Sequence, residues 1–297
     1  MFFSRTNIFR TGFGVGDVLL ASVILKALSR IYMKKYVVET RFPELFYNNP
    51  HVSFVLPAER RAVLIRKTFE HRFMWRIGSI INEWFEKRLI RPTYPFPCKN
   101  KHLVDAMAES VGIELLPHER RPFIYLTKEE IKFQSWAKNW IAVQSSSSTY
   151  WTNNKHWIPG RMQEVINALS AEGYFIVHIG SKDDEALTKV KDLRGKTTLR
   201  ETAALLSNAA LFIGMEGGIV HLARAVNTRS VVIYTHYTLP EETGYVENVN
   251  LRRTDNYYPC WNRKKCDECR VSAENITTEM VIDEVLKILE KNPIMNT

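Results

Sequence analysis

Apolar residues recur along this chain in two rhythms. Short continuous runs read as buried strands, and i, i+3, i+4, i+7 spacings read as helix faces. After an extended segment over residues 7–11, the first helix is marked by Val18, Leu19, Ala21, Ile24, Leu25, Leu28 and Ile31. Strands are predicted at 36–40 and 53–56, with a helix-like turn between them that ends at Asn48-Asn49-Pro50, and a further strand at 61–65. A helix over 102–111 meets a stop at Gly112. From residue 140 the alternation sharpens, with strands predicted at 140–144, 174–179, 211–213 and 230–234. Met162, Val165, Ile166 and Leu169 form one helix face closed by Gly173, and 183–193 is predicted to be helical. Thr198 and Glu201 have the spacing of a capping box for a helix running to about Asn208. A final helix from about Thr277 carries Val281, Ile282, Val285, Leu286 and Leu289 on one side.

Strands alternating with helices through short loops predict a parallel, doubly wound α/β sheet, and the length allows two of them. The pattern breaks between Pro117 and Pro122. The expected division is therefore a shorter N-terminal domain over 1–126 and a C-terminal domain over 127–297. Ligands of such sheets bind beyond the carboxyl ends of the strands. Asp17, the polar loop 145–155, Gly180-Ser181 and the stretch from Glu216 to His221 are all predicted to lie there. Residues 214–225 read as a strand end, a Glu216-Gly217-Gly218 turn and a helix opening with His221 in its first turn. Glycines let a ligand approach the backbone, and the free N–H groups of a helix start attract anions, phosphate above all. Asp17 follows Gly12, Gly14 and Gly16. It stands where it would cap the first helix, or where those glycines would expose its carboxylate to a ligand.

Composition narrows the class. Hydrophobic residues make up 45% and charged residues 25% of the chain, as in a globular protein. The longest apolar run, 18–28, is broken by Ser22 and Lys26 and is too short to cross a bilayer. The first residues lack the layout of a signal peptide, so a cytoplasmic location with reduced thiols is expected. The net charge is +9, and between Glu59 and Lys101 eleven Lys or Arg stand against four Glu, with aromatic residues interleaved. That stretch is either a solvated basic face or a surface for an anionic partner, including acidic lipid at the cytoplasmic face of a membrane. No nucleic-acid-binding module accompanies it, which argues against nucleic acid as the partner. Cys260, Cys266 and Cys269 fall within ten residues, in a basic loop over 259–270. Three thiols so spaced suit a structural zinc or iron that needs one more ligand, with Cys98 or His236 as candidates, or they are free loop thiols.

Four segments in order carry a family resemblance: Gly16-Asp17-Val-Leu-Leu; Lys155-His-Trp157 with Pro159; Gly195-Lys-Thr-Thr-Leu199; and Gly214-x-Glu-Gly-Gly-x-x-His-Leu-Ala followed by Val231-Val-Ile-Tyr234. The chain resembles the heptosyltransferase-like glycosyltransferases of family 9, clearly from about Trp140 onward and in patches before it. The resemblance implies the GT-B arrangement, two Rossmann-like domains facing a cleft with a C-terminal helix packing back. It also implies inverting, metal-independent transfer of a sugar, typically heptose, from a nucleotide-diphosphate donor of the ADP-heptose type. The acceptor would be a hydroxyl of an anionic surface glycan or glycolipid such as lipopolysaccharide core, or of a protein. Asp17 matches the family's base, and Lys155 with Ser145, Ser146 and Ser147 matches its phosphate-binding segment. Glu216, Gly217, Gly218 and His221 match its donor turn, while Gly180, Ser181, Thr198 and Leu199 are placed for ribose and base. Some relatives carry a cysteine-rich metal loop in this region. Many have Asp where this chain has Glu216, and Thr or Ser where it has Gly217, a change that alters reach toward the donor sugar. The N-terminal domain is shorter than is usual in the family. Two other readings stand beside transfer. One is an epimerase or hydrolase of nucleotide sugars, which would not need Asp17. The other is a non-catalytic protein that binds a glycan or membrane surface.

Overall fold

The computed structural model describes residues 8–12, 14–58, 89–98, 100–133, 140–147, 151–254 and 258–291. Most of the basic stretch, including the strand expected at 61–65, lies outside them. The chain divides into two compact units, one made of 1–95 and 103–125 and the other of 96–102 and 126–297. The sequence pattern suggested a single cut; in the structure residues 96–102 go with the second unit.

In the first unit, β1 (Ile8–Arg10), β2 (Tyr36–Thr40), β3 (Val52–Pro57) and β4 (Leu89–Ile90) form an all-parallel sheet in the order β3-β2-β1-β4. Helix α1 (Val15–Tyr32) links β1 to β2. Ten of its residues between Val18 and Leu28 are buried, so it is enclosed on nearly all sides. Ser22 fits there because its hydroxyl donates to Leu19 O at 2.6 Å and accepts from the Phe123 N–H at 2.9 Å. Helix α2 (Leu103–Ser110) packs on α1, and the turn after it closes at Gly112, whose φ of 72° favours glycine.

The second unit holds α3 (Lys128–Phe133) and six parallel strands: β5 (Ile141–Val143), β6 (Ile176–His178), β7 (Lys191–Asp192), β8 (Leu211–Met215), β9 (Ser230–Tyr234) and β10 (Val249–Arg252). Their order is β10-β9-β8-β5-β6-β7, the doubly wound arrangement. The chain runs outward from β5 to β7, then returns to lay β8 against the other side of β5. The carboxyl ends of β5 and β8 therefore flank the point where the winding reverses. Helices α4 (Arg161–Ala171), α5 (Leu199–Asn208), α6 (Gly218–Ala225), α7 (Pro240–Thr243), α8 (Asp267–Asn275) and α9 (Thr278–Lys291) complete the unit. Met162, Val165, Ile166 and Leu169 of α4 share one core with Val281, Val285 and Leu289 of α9 and with the inward residues of β5, β8 and β9. The C-terminal helix thus packs on the core of its own unit.

One expected helix is absent. Residues 183–193 form turns and end in β7, because side chains from elsewhere claim the backbone groups a helix would pair. Glu185 N–H donates to Ser146 Oγ and Glu185 O accepts from Ser145 Oγ, while Gln163 bonds both the N–H and the O of Thr188. Lys189, at φ 58°, then turns the chain out of helical geometry.

Candidate functional site

The loops after β5, β8 and β9 bring their side chains to one edge of the second unit. Lys155 ends a 3₁₀ turn (Asn153–Lys155) and sets its Nζ 2.5 Å from Glu216 Oε2, at the carboxyl end of β8. Both side chains are largely buried, 19% and 8% exposed. A charged pair taken out of water needs close geometry to offset its desolvation. The meeting point is the reversal between β5 and β8, where an α/β sheet opens its crevice. Glu216 extends the ladder, its N–H donating to Ile233 O at 3.1 Å, and Gly217 then leads in extended backbone into α6. Gly214 has a different role from the other two glycines. It lies within β8, and a Cβ there would come within 2.6 Å of the Phe212 ring.

Lys155 is positioned from below. Asn154 is buried and donates its amide to Asn262 O and Lys264 O, both at 2.6 Å, while its Oδ1 accepts from the Cys266 N–H at 3.1 Å. Its carbonyl accepts from Thr235 Oγ1 at 2.6 Å. The Tyr237 ring lies 5.0 Å from Lys155 Nζ. Burial raises the Tyr237 phenol to about 12, so it stays protonated under the lysine. The rest of the Lys155-His-Trp segment is structural. His156 Nε2 pairs with Ser147 O at 2.9 Å, and the buried Trp157 donates to Ile276 O, also at 2.9 Å.

Of the four serines after β5, the three that are described, Ser145, Ser146 and Ser147, divide their roles. Ser145 Oγ is held between His178 Nε2 and Glu185 O, and Ser146 Oγ accepts from Glu185 N–H. Among the described residues Ser147 Oγ is buried with no hydrogen-bond partner, and it is the hydroxyl of these three left over for a ligand. A buried polar atom without a partner costs free energy unless something fills the position. His178 is fully buried and is held down to about 4, first by burial and then by the Arg194 charge.

At the neighbouring carboxyl ends, Gly180 has φ 129° and lies against Asp184; a Cβ there would fall 2.2 Å from Asp184 Oδ2. That carboxylate accepts from the Ser181 N–H at 3.2 Å and from Gln144 Nε2 at 3.3 Å. Burial raises its pKa. Thr198 and Glu201 form the capping box, which occupies the Thr198 hydroxyl, and Leu199 opens α5. His221 is buried on α6 with Nδ1 2.6 Å from Tyr245 Oη. Burial, then His102 and Lys155, push it down to about 3, so it is neutral.

Asp17 belongs to the first unit. It is the third residue of α1 and not its N-cap, which is Gly14. Gly14 has no side chain to cap with, so only the return half of a capping box exists, Gly14 N–H donating to Asp17 Oδ2 at 3.2 Å. The other oxygen accepts from Tyr94 Oη at 2.8 Å. A side chain at Gly12 would meet Asp17 Cβ at 2.6 Å, and one at Gly14 would meet Oδ2 at 3.2 Å. The glycines of this loop make room for the carboxylate.

The sulfurs of Cys260, Cys266 and Cys269 lie within 4.8 Å of one another, with Cys260 and Cys269 3.3 Å apart. A bond from the Cys269 thiol lowers Cys260 to about 6, while Cys269 is raised by the same contact and by burial. Thiolates around zinc at about 2.3 Å stand just under ~4 Å apart, so the donor set fits a thiolate metal site. Among the described residues Cys98 is not in this group; its Sγ lies 3.7 Å from Lys101 O. His236 is outside it too, with Nε2 2.7 Å from Glu268 Oε2. The residues the sequence reading passed over are Asn154, Tyr237 and Tyr94. For Asn154 the signal was its place directly before Lys155, whereas the other two are joined to the site only by folding.

Two parallel-sheet units, one with its polar side chains gathered at the winding reversal, define an α/β protein of the GT-B type. The ADP-heptose lipopolysaccharide heptosyltransferase II of E. coli has this fold, with a TM-score of 0.72, 16% identity, and coverage of 96% of this chain and 99% of that one. So does the iron-containing dodecameric glycosyltransferase TibC of enterotoxigenic E. coli, with a TM-score of 0.73, 18% identity, and coverage of 96% and 77%. The model of glycosyltransferase family 9 (heptosyltransferase) matches residues 77–276, and the chain belongs to that family. By sequence it is similar to lipopolysaccharide heptosyltransferase 3 of Escherichia coli, 29% identical over 119 residues, 36% of this chain and 34% of that protein. It is also similar to the autotransporter heptosyltransferase TibC of E. coli O78:H11, 30% identical over 131 residues, 41% of this chain and 30% of that protein. These alignments span about a third of each relative. No helix among the described residues is long and apolar enough to cross a membrane.

Proposed function

We propose that this protein transfers a sugar, with inversion, from a nucleoside-diphosphate donor to a hydroxyl of an acceptor glycan or protein. The observation that carries the reading is the Lys155–Glu216 pair at the β5/β8 reversal, with a Ser147 hydroxyl that has no partner among the described residues on the same loop as Lys155. The acceptor oxygen attacks the anomeric carbon and its proton passes to Asp17. The bond from that carbon to the diphosphate oxygen breaks on the opposite face. Charge grows on the departing diphosphate, where Lys155 and the N–H groups opening α6 stabilise it. Gly180, Ser181, Thr198 and Leu199 would line the ribose and base. The capped Thr198 hydroxyl makes a backbone contact the more suitable role there.

An ADP-heptose type of donor is favoured because structures of TibC and of the E. coli heptosyltransferase WaaC hold ADP-heptose or its fluorinated analogue. Lipopolysaccharide core or a protein is the acceptor class suggested by the names of the relatives, and the working location is the cytoplasm, including its membrane face. The three thiols would hold a structural zinc or iron. Its role here is indirect, since Cys266 N–H bonds the Asn154 that precedes Lys155. A thermal-shift panel of ADP-, GDP-, UDP- and CDP-sugars tests the reading, because a ligand bound to the native state raises the melting temperature. Stabilisation by one of the four, with transfer to a core oligosaccharide, is the expected result. Donor turnover that survives Asp17→Asn would instead favour the epimerase or hydrolase.

A further inference from the structure

The second unit carries an aromatic cluster that the transfer chemistry above does not use. Trp151, four residues before Lys155, is 41% exposed, and Phe96 is 49% exposed. Exposed aromatic side chains are ordinary when single, but here two adjoin, with ring centroids 5.7 Å apart and edge to face. Phe96 packs edge-on against Trp261 as well, at 5.5 Å.

The cluster is held in place from beneath. Trp151 Nε1 donates to Tyr237 Oη at 2.6 Å, which is the same tyrosine that lies under Lys155. Trp261 is buried, and its Nε1 donates to Glu242 Oε2 at 3.1 Å. Arg263 lies with its guanidinium carbon 4.2 Å from the Trp151 ring centroid and donates Nε to Trp151 O at 3.4 Å. The exposed Lys264 and Lys265 follow it. The indole is therefore fixed in orientation, with the Arg263 guanidinium over one of its faces, so a ligand ring would stack on the other. Rigid aromatic area is cheap to bind against, because little side-chain freedom remains to be lost.

We infer that Trp151 and Phe96 form a sugar-ring subsite, with Arg263 beside it for an anionic group on that sugar or its neighbour. The C–H face of a pyranose is apolar and faintly positive, which suits the negative face of an indole ring. A guanidinium at the border would select phosphorylated or carboxylated rings. The subsite rests on the glycosyltransfer reading for the source of the sugar, which is either the donor sugar beyond the diphosphate or a ring of the acceptor.

The test uses the full chain and three variants, Trp151→Ala, Phe96→Ala and Arg263→Ala, all changed at exposed positions. Affinities are measured for ADP, for ADP-heptose, and for a deacylated core oligosaccharide with and without its phosphates. Trp151→Ala is expected to weaken one sugar-bearing ligand by about tenfold or more while leaving ADP within twofold. Loss on ADP-heptose assigns the subsite to the donor sugar, and loss on the oligosaccharide assigns it to the acceptor. Arg263→Ala is expected to weaken the phosphorylated oligosaccharide and spare the dephosphorylated one, or to have its effect on the donor arm alone. The inference is overturned if Trp151→Ala leaves every ligand within twofold, or weakens ADP as much as ADP-heptose. It is also overturned if wild type binds ADP-heptose no more tightly than ADP and binds neither form of the oligosaccharide. Failure of wild type to bind any nucleoside diphosphate would sink the transfer reading instead, and the oligosaccharide arm would still decide the subsite.

Discussion

The two units build their chemistry in opposite ways. In the first, one carboxylate is held by its own helix start and by a single distant hydroxyl, Gly14 N–H on one oxygen and Tyr94 on the other. In the second, loops from several strand ends meet at one sheet edge, and Lys155, Ser145 and Asp184 are each braced by groups from other parts of the chain. Lys155 alone depends on Asn154, Thr235, Tyr237 and the cysteine loop. The family model reaches from residue 77 to residue 276, so it takes in part of the first unit and most of the second.

The comparison can be broken most sharply at Asp17. Asp17→Asn keeps the size of the side chain and one of its two acceptor oxygens but removes the base, and turnover should fall by about 10²–10⁴-fold with donor affinity retained. Steady-state rates beside calorimetric donor titration check this, and a variant that keeps its turnover would remove the first unit from the chemistry. Next in size is the network in the second unit. Lys155→Ala should lower turnover by roughly 10²-fold and weaken donor binding. It also leaves the Glu216 carboxylate buried without its cation, at a cost of about 3–5 kcal/mol in stability. The double change with Glu216→Gln should recover most of that stability and none of the turnover, which chemical denaturation and rates separate.

The cysteine loop gives a third test. Cys269→Ala should abolish any bound metal, measured by elemental analysis. It should lower the melting temperature and reduce donor affinity, because the Cys266–Asn154 link braces Lys155. A drop in stability with unchanged donor binding would confine the loop to structure.

Acid should weaken the second unit through two buried histidines. His178 and His221 are held neutral in the fold at about 4 and about 3, below the ordinary 6.5. As pH falls below 6.5 the unfolded chain takes up protons that the native chain refuses, so stability is present above that value and lost on the way down. Between pH 7 and pH 4.5 each such histidine should remove about 2 kcal/mol. Denaturation curves of His178→Gln should show a shallower loss, and an unchanged slope would contradict the burial effect. The smallest effect is expected from Tyr94→Phe, which removes one of two bonds to Asp17 at about 1 kcal/mol. Turnover should fall by a few fold, with donor affinity intact.

Much of this was legible in the sequence because it follows from backbone rules. The apolar face of α4, the Thr198–Glu201 box, the strand before Glu216 and the parallel winding each have a local signature that tertiary packing did not overrule. Residues 183–193 misled because their spacing fits a helix, while the groups that prevent one, Gln163, Ser145 and Ser146, lie 20 to 40 positions away. The same limit hid the division of labour among Ser145, Ser146 and Ser147, three identical residues whose partners are set only by the fold. Asp17 was found by its glycine-rich loop, but its place as third residue of α1 and its bond to Tyr94 were not readable from spacing. Trp151 and Phe96 carry no local signal at all, since nothing in sequence separates an exposed tryptophan from a buried one.

The most direct measurement is calorimetric titration of ADP, GDP, UDP and CDP into wild type, Asp17→Asn and Lys155→Ala. The β5/β8 reversal should bind one of these diphosphates, Asp17→Asn should bind it with unchanged affinity, and Lys155→Ala should lose about tenfold or more. No diphosphate binding to wild type, or equal weakening by the two variants, would contradict a donor site housed in the second unit.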